Sequence, residues 1–174
     1  MKYFDIVNEQ DEVIGSAPAQ ECHSNPKFIH RVVHFTLVNE LNGQILITQR
    51  PPDVKFDGGK WCFMGEHLLQ GDDYPTAVFR GACDELGLCV NNDISLAAGE
   101  WCNTIFRSEK QTEFARFFFI YYESGKIIAN PIEIVQTKWI SRDELFENKQ
   151  EYSHMTQYWI GHIDWERFAR MYST

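Results

Sequence analysis

The sequence predicts an α/β sandwich with a mixed β-sheet and a central loop–helix motif. Strand-like segments recur along most of the 174 residues, while one helix with clear start and stop signals occupies the middle. Further helix signals stand near the end of the chain. Strands on both sides of a central helix, followed by more helices, are typical of a layered α/β fold. We expect a single domain over residues 1–174, because this length suits one core and no linker or repeat interrupts it.

The first third of the chain predicts strands separated by short polar turns. We expect two strands around a polar turn at residues 3–16, a loop at 19–31 and a β-hairpin at 31–50. Pro26 argues against a helix through the loop, which carries His23 and His30. Asn42-Gly43 between two β-rich runs is a strong hairpin signal.

The central segment, residues 65–88, predicts a loop that leads into a helix at about residues 73–86. Asp72 or Asp73 can cap the first turn, because a carboxylate accepts hydrogen bonds from free backbone N–H groups there. Gly87 stands where a left-handed residue commonly ends a helix.

The last part of the chain predicts more strands and two helices. We expect a Pro/Gly loop at residues 51–60 and a short strand at 61–64, before the central helix. After that helix we expect a turn at 91–93, one or two strands at 95–106 and a polar loop at 107–113. A buried strand at 114–122 and a final strand at 132–140 follow. The nearly continuous aromatic run in 114–122 suits a central strand buried on both faces. Ser141 with Glu144 forms a capping box for one helix, and Asp164 can cap the last helix.

Composition excludes several functional classes. The formal net charge is −9 and 44% of residues are hydrophobic. We therefore expect a globular protein that binds neither nucleic-acid polymers nor anionic membranes. A phosphate-bearing substrate remains compatible with this charge, because a metal ion can supply positive charge locally.

The cysteines and the N-terminus indicate a cytoplasmic protein. Five cysteines, none in a CxxC pair, are scattered at positions 22, 62, 83, 89 and 102. This pattern predicts reduced thiols rather than a disulfide framework. The N-terminus becomes acidic too early for a signal peptide, and no apolar run reaches membrane-spanning length.

The central helix carries the charged groups of greatest chemical interest. By i, i+3 and i+4 spacing, Gly81, Asp84 and Glu85 share one face, with Arg80 beside them. Two adjacent carboxylates could hold a hard divalent cation, which prefers oxygen ligands. The alternative is an amphipathic surface helix whose charges are only solvated.

Residues 65–88 resemble the Nudix box, G-x5-E-x7-R-E-U-x-E-E-x-G-U, where U is aliphatic. The positions that match, or that replace Glu by Asp, are Arg80, Glu85, Gly87, Leu88, Asp72 and Asp84. Glu66 stands at the first glycine of the motif, with Gly65 adjacent. Gly81 stands where the family keeps a glutamate that commonly binds metal. The resemblance implies a Nudix-type α/β/α sandwich, with Arg80 and Gly87 in structural roles.

Within that superfamily the chain looks most like the isopentenyl-diphosphate isomerase branch, from about Asp5 to about Leu88. The resemblance implies a divalent metal held by three histidines and an acidic residue, here His23, His30, His67 and Glu113. Imidazole and carboxylate together suit Mn, Fe or Zn better than Mg. Gln111 occupies the position of a second acid. The resemblance also implies substrate contacts from Arg50, helped by Lys55, and from Trp159.

The chain departs from that isomerase at its chemistry. Gly65 stands at or beside the position of the catalytic cysteine, and Cys62 lies too far back in the motif to replace it. Basic residues that grip the diphosphate are also replaced, by Ala19, Val54 and Gly81. A protonation mechanism needs an acid on each side of a double bond, and one is absent.

GDP-mannose mannosyl hydrolases show a similarly reduced box and offer a second comparison. They keep the glutamate that matches Glu85 and use it for Mg2+. Here Glu133 occupies a position where Nudix enzymes often place a late acid. Ile134 stands where a histidine base would be expected.

These observations predict a metal-dependent hydrolase of a nucleoside-diphosphate-linked or similar diphosphate compound, such as a nucleotide sugar. Glu85 with Asp84 would bind Mg2+ or Mn2+, and Glu133 would orient or deprotonate water. The histidines offer a second site for Mn2+ or Zn2+. A small-molecule partner and a possible homodimer are expected.

Two alternatives remain open. One is an isomerase-like enzyme with an altered pocket, and the other is a ligand- or partner-binding domain that has lost turnover. Gly81 is compatible with both alternatives. The loss of a catalytic glutamate there would lower hydrolytic activity, as expected of a binding domain, but it would also open space beside the metal, as expected of an enzyme with an altered substrate.

Overall fold

The computed structural model describes residues 1–89, 97–123 and 125–172. Among these residues nine strands form one sheet: β1 (Tyr3–Val7), β2 (Val13–Pro18), β3 (Ile29–Asn39), β4 (Ile45–Gln49), β5 (Trp61–Cys62), β6 (Met64–His67), β7 (Ala97–Arg107), β8 (Thr112–Tyr122) and β9 (Gln136–Ile140). The helices of the same residues are α1 (Ala19–Cys22), α2 (Tyr74–Leu86), α3 (Arg142–Glu147), α4 (His154–Ile160) and α5 (Trp165–Tyr172), with a 3₁₀ turn at Lys149–Glu151.

The sheet is mixed and branches at β3. This strand pairs antiparallel with β1, β4 and β6 and parallel with β8. The β3–β8 pairing runs without a break from Ile29 opposite Thr112 to Asn39 opposite Tyr122. β7 completes that side of the sheet, while β5 and β9 pair with β4.

Two hydrophobic cores lie on opposite faces of the sheet. Along β8, Phe117 and Phe119 belong to the core beneath the C-terminal helices, whereas Phe118 and Ile120 belong to the core beneath α2. Successive residues of a strand point to opposite faces, so a strand buried on both faces must be apolar throughout. The aromatic run therefore lies where the sequence predicts, and the α/β/α sandwich is confirmed.

Helix α2 begins and ends as its sequence predicts. Asp73, rather than Asp72, is the N-cap, and its side chain accepts a hydrogen bond of 2.8 Å from the backbone N–H of Thr76. Gly87 ends the helix with a φ of 68°, a left-handed conformation that strains residues with a Cβ.

The C-terminal helices also carry the predicted caps. The Ser141–Glu144 capping box is present at α3. The Asp164 side chain accepts a 2.8 Å bond from the N–H of Arg167. Among the described residues no helix is long and apolar enough to cross a membrane.

Some boundaries differ from expectation. The predicted loop at 19–31 contains the short helix α1, and His30 lies within β3. Residues 97–107 form one strand. The turn expected at 91–93, and the start of the strand expected at 95, lie outside the described residues.

The prediction that all five cysteines are reduced thiols is wrong for two of them. Cys83 and Cys89 form a disulfide, whereas Cys22, Cys62 and Cys102 are free. The reason is the turn at the end of α2. Gly87 reverses the chain there, so that Cys89 returns to the last turn of the helix.

The expectation that Gly81 opens space beside a metal is also wrong. A Cβ built on Gly81 would lie 2.7 Å from Cζ of Phe35 and 3.2 Å from Cβ of Glu66. The Phe35 ring is fully buried against α2 and fills the volume that a side chain at position 81 would need.

Gly81→Ala should therefore destabilise the protein, although alanine is the better helix former. The gain in helix propensity is about 1 kcal/mol, whereas overpacking a filled core costs about 1–3 kcal/mol. We expect a net loss of roughly 1 kcal/mol in the free energy of unfolding, measured by urea denaturation.

Two variants serve as controls for this prediction. Gly15→Ala should cost little, because no atom lies within 4 Å of its added Cβ. Adding Phe35→Leu to Gly81→Ala should cost less than the sum of the single changes, because the two sites are in contact. A stabilised Gly81→Ala variant would contradict the close contact.

Candidate functional site

Three histidines and one glutamate from distant parts of the chain meet at one end of a cavity. His23 follows α1, His30 lies near the start of β3, His67 ends β6, and Glu113 is the second residue of β8. One ligand atom from each histidine lies within 4.8 Å of the others. The Nε2 atoms of His23 and His67 are 3.3 Å apart, and Nε2 of His67 is 3.4 Å from Oε1 of Glu113.

Strand register explains this convergence. His30 is directly opposite Glu113 in the parallel β3–β8 pair. Val32, two residues further on the same face of β3, is opposite His67 in the antiparallel β3–β6 pair. Phe4 of β1 packs behind the cluster and stacks on His67, with ring centroids 5.1 Å apart.

The electrostatics of the cluster favour neutral imidazoles beside a carboxylate. Burial and, to a lesser extent, the charge of His67 together lower the pKa of His30 to about 4, although Glu113 opposes them. Burial also lowers the pKa of His23. Although burial by itself raises the pKa of Glu113, the hydrogen bond and the charge of His67, together with the charges of His34 and His30, outweigh it and lower the pKa.

The cluster has the properties of a metal site. Neither ring nitrogen of the fully buried His30 has a hydrogen-bond partner within the described part of the chain. Such unpaired buried nitrogens are costly unless a cation or another group binds them. Gln111, where the sequence comparison places a second acid, donates a 2.9 Å hydrogen bond to Oε1 of Glu113 and so orients it. The donor set fits Mn2+, Fe2+ or Zn2+.

The cavity beside this cluster has a volume of about 1000 Å³. Arg50 and Lys55, for which substrate contacts were predicted, line it, and Val32, Phe63 and Met155 add apolar surface. This combination of a large apolar surface with a few charged groups is usual for a small-molecule site.

The predicted contact of Trp159 with a substrate does not agree with its position. Trp159 is fully buried in the core and is absent from the lining of the cavity. It packs instead against His34, with ring centroids 5.7 Å apart. Its role is therefore to support a wall of the cavity.

A second, smaller pocket of about 130 Å³ adjoins the first and contains Glu85 and Glu133. Arg50 lines both cavities. Burial raises the pKa of Glu85 to about 8, and Glu133, Glu66 and Asp84 raise it while Arg50 lowers it. Several carboxylates this close together need a proton or a cation to offset their repulsion.

Residues near Glu85 differ in how far they take part in this pocket. Asp84 is exposed on the outer side of α2. Glu66, which sequence reasoning left without a role, adds a carboxylate on the side of β6. Ile134 is buried in the core beneath α2, so no polar group arises from the position where a histidine base was considered.

Arg80 links the loop before α2 to His67 of the histidine cluster and to Glu66 of β6. Its guanidinium binds the Asp72 carboxylate and donates a 2.7 Å hydrogen bond to the carbonyl of His67. Nη2 also lies 3.6 Å from Glu66. These contacts agree with the predicted structural role.

Sequence reasoning gave no role to two more residues of the large cavity. His34 lines the cavity beside Gly65. Its spacing of four residues from His30 within a strand was the signal, since it places both side chains on one face. Cys62 lines both cavities, and burial raises the pKa of its thiol to about 11.

Known proteins share this fold and sequence pattern. An isopentenyl-diphosphate Delta-isomerase of Paenarthrobacter aurescens is 25% identical over 162 residues, which cover 90% of this chain and 85% of that protein. A Nudix hydrolase of Deinococcus radiodurans is 28% identical over 148 residues, covering 82% and 80%.

The crystal structure of DR0079 from Deinococcus radiodurans superposes with a TM-score of 0.73 at 22% identity, covering 94% of this chain and 99% of that one. This likeness shows the fold. The model of the NUDIX domain matches residues 29–159, well over half of the chain. The protein therefore belongs to the Nudix family.

Proposed function

We propose that the protein is a metal-dependent hydrolase of a diphosphate-linked small molecule, such as a nucleotide sugar, and that Glu85 is its central catalytic residue. The observation that carries this proposal is the pocket that Glu85 and Glu133 line together with Arg50, with the charge of Glu66 close enough to raise the pKa of Glu85. Membership of the Nudix family supports the same reaction class.

The carboxylates supply what this reaction needs from the protein. Their oxygen atoms are the ligands that Mg2+ and Mn2+ prefer, and Glu85 is the residue we expect to hold the ion. When bound, the ion supplies positive charge that polarises a phosphate oxygen. Glu133 is exposed at the pocket and can accept a proton from the attacking water.

Arg50 and Lys55 provide the positive charge that a diphosphate requires. Arg50 reaches both cavities, so it can bind a phosphate group that lies between them. Lys55 is exposed on the large cavity, where the remainder of the substrate would lie. We assign the histidines and Glu113 to a second ion, Mn2+ or Zn2+.

An isomerase-like reaction is the second candidate function. The histidine cluster with Glu113 favours it, as does the similarity to an isopentenyl-diphosphate Delta-isomerase over most of the chain. Gly65, however, supplies no acidic group at the cavity. The buried thiol of Cys62 has a raised pKa and is a weak proton donor.

A ligand-binding domain without turnover is the third possibility. It is favoured by Gly81, where the Nudix motif has a glutamate and where this chain has no room for a side chain.

Glu85→Gln should abolish hydrolysis. Purified protein with Mg2+ or Mn2+ is first screened against nucleotide sugars, dinucleotides and prenyl diphosphates for product release. For the best substrate we expect kcat to fall by about 10²-fold or more in the variant, since a neutral amide replaces the charged ligand.

Asp84→Asn is the matched control, because it removes the neighbouring carboxylate from the exposed side of the helix. Its kcat should stay within about tenfold of the wild type. Interconversion of prenyl diphosphates without phosphate release would favour the isomerase instead. Tight binding without turnover under either ion would favour the binding domain.

His67→Ala should remove the second ion. The purified protein is loaded with Mn2+ or Zn2+, dialysed, and its bound metal measured by elemental analysis. We expect about one equivalent less metal in His67→Ala, because it removes one of three converging imidazoles. His162→Ala, which changes an exposed histidine outside the cluster, should keep the wild-type content. Equal metal content in all three proteins would show that the cluster holds no ion.

A further inference from the structure

His34 is a cavity residue outside both proposed ion sites. It lies on β3 on the same face as His30 and Val32, four residues beyond His30. At about 3.3 Å per strand residue, it stands about 13 Å along the strand from His30. A small molecule anchored at the cluster, or at Arg50, could reach it within the same cavity.

Gly65 leaves one edge of the His34 ring accessible. The two residues are directly opposite in the β3–β6 pair. A Cβ on Gly65 would lie 3.2 Å from Nδ1 and 3.3 Å from Cε1 of His34. Because Gly65 has no side chain and is itself exposed, this edge faces the open cavity rather than a neighbouring residue.

The rest of the ring is held in place by aromatic neighbours. The centroid of His34 is 5.7 Å from that of Trp159 and 6.4 Å from that of Phe106, which it meets edge to face. The Nε2 atom is buried and has no hydrogen-bond partner in the described part of the chain. Aromatic packing therefore fixes the direction of the accessible edge.

This environment favours one tautomer of His34. An N–H can interact weakly with an aromatic ring, whereas a lone pair gains nothing from it. The proton thus belongs on the enclosed Nε2, which leaves the lone pair on Nδ1. Burial also lowers the pKa of His34 to about 4, so that the ring is neutral at physiological pH. Nδ1 is then a hydrogen-bond acceptor at the cavity surface.

We propose that His34 and Gly65 form a binding subsite for a hydroxyl group of the ligand, which donates its hydrogen bond to Nδ1. The proposal rests on the proposed function for the diphosphate part of the ligand. It narrows that function to hydroxylated compounds, such as nucleotide sugars, over diphosphates of a plain hydrocarbon chain.

Binding affinities test the subsite separately from catalysis. Calorimetry with Mg2+ in the Glu133→Gln background, which slows turnover but keeps the proposed ion ligand Glu85, measures binding of UDP-glucose, GDP-mannose and ADP-ribose against geranyl diphosphate. At least one hydroxylated ligand should bind more tightly than geranyl diphosphate. Adding His34→Phe keeps a ring in place but removes the acceptor. It should weaken that ligand about tenfold and leave geranyl diphosphate within about twofold.

Three further variants check that the effect arises from the acceptor. Gly65→Ala should cause the same selective loss, because its methyl group covers the edge while the imidazole remains. His34→Asn should lose less than His34→Phe, since its amide oxygen can take the place of Nδ1. His162→Phe, a change at an exposed histidine, should alter neither affinity.

Each outcome of these measurements supports or contradicts the subsite, the hydrolase, or both. Equal loss for both ligand classes, no loss for either, or no hydroxylated ligand binding more tightly than geranyl diphosphate would overturn the subsite. Selective binding that depends on His34, in a protein whose wild type hydrolyses none of the ligands, would support the subsite and contradict the hydrolase. Hydrolysis whose rate and KM do not change in His34→Phe would support the hydrolase and contradict the subsite.

Discussion

The parallel pairing of β3 with β8 is the constraint on which the histidine cluster depends. The pairing places His30 directly opposite Glu113. It continues without a break over eleven residue pairs, so the two strands keep one register along their whole length. A slip of one residue would turn Glu113 away from the histidines, because alternate residues face opposite sides.

The two groups of polar side chains have opposite electrostatic properties. In the histidine cluster burial lowers the pKa of His30 and of His23, which favours the neutral imidazoles that can act as ligands. In the smaller pocket the carboxylates repel one another, which opposes ionisation of Glu85. Arg50 borders both cavities and moderates only the second group. Different ions are therefore suited to the two places, a borderline one to nitrogen and a hard one to oxygen.

Sequence reasoning succeeded where a feature depends on neighbours in the chain. The ends of α2, the caps at Ser141 and Asp164, and the buried strand β8 are all local patterns. The convergence of the histidines could be expected only through resemblance to a family. The role of Trp159 could not be predicted, because exposure depends on packing between distant segments. The Cys83–Cys89 pairing was missed for the same reason, since it requires the geometry of a turn.

The contact between Phe35 and Gly81 has a consequence for the history of this chain. Phe35 occupies the volume that a side chain at position 81 would need, so the two positions cannot change independently. A reversion to glutamate alone would meet a filled core, and a smaller residue at position 35 alone would leave a void. Each single change lowers stability, so the residues at positions 35 and 81 would have to change together.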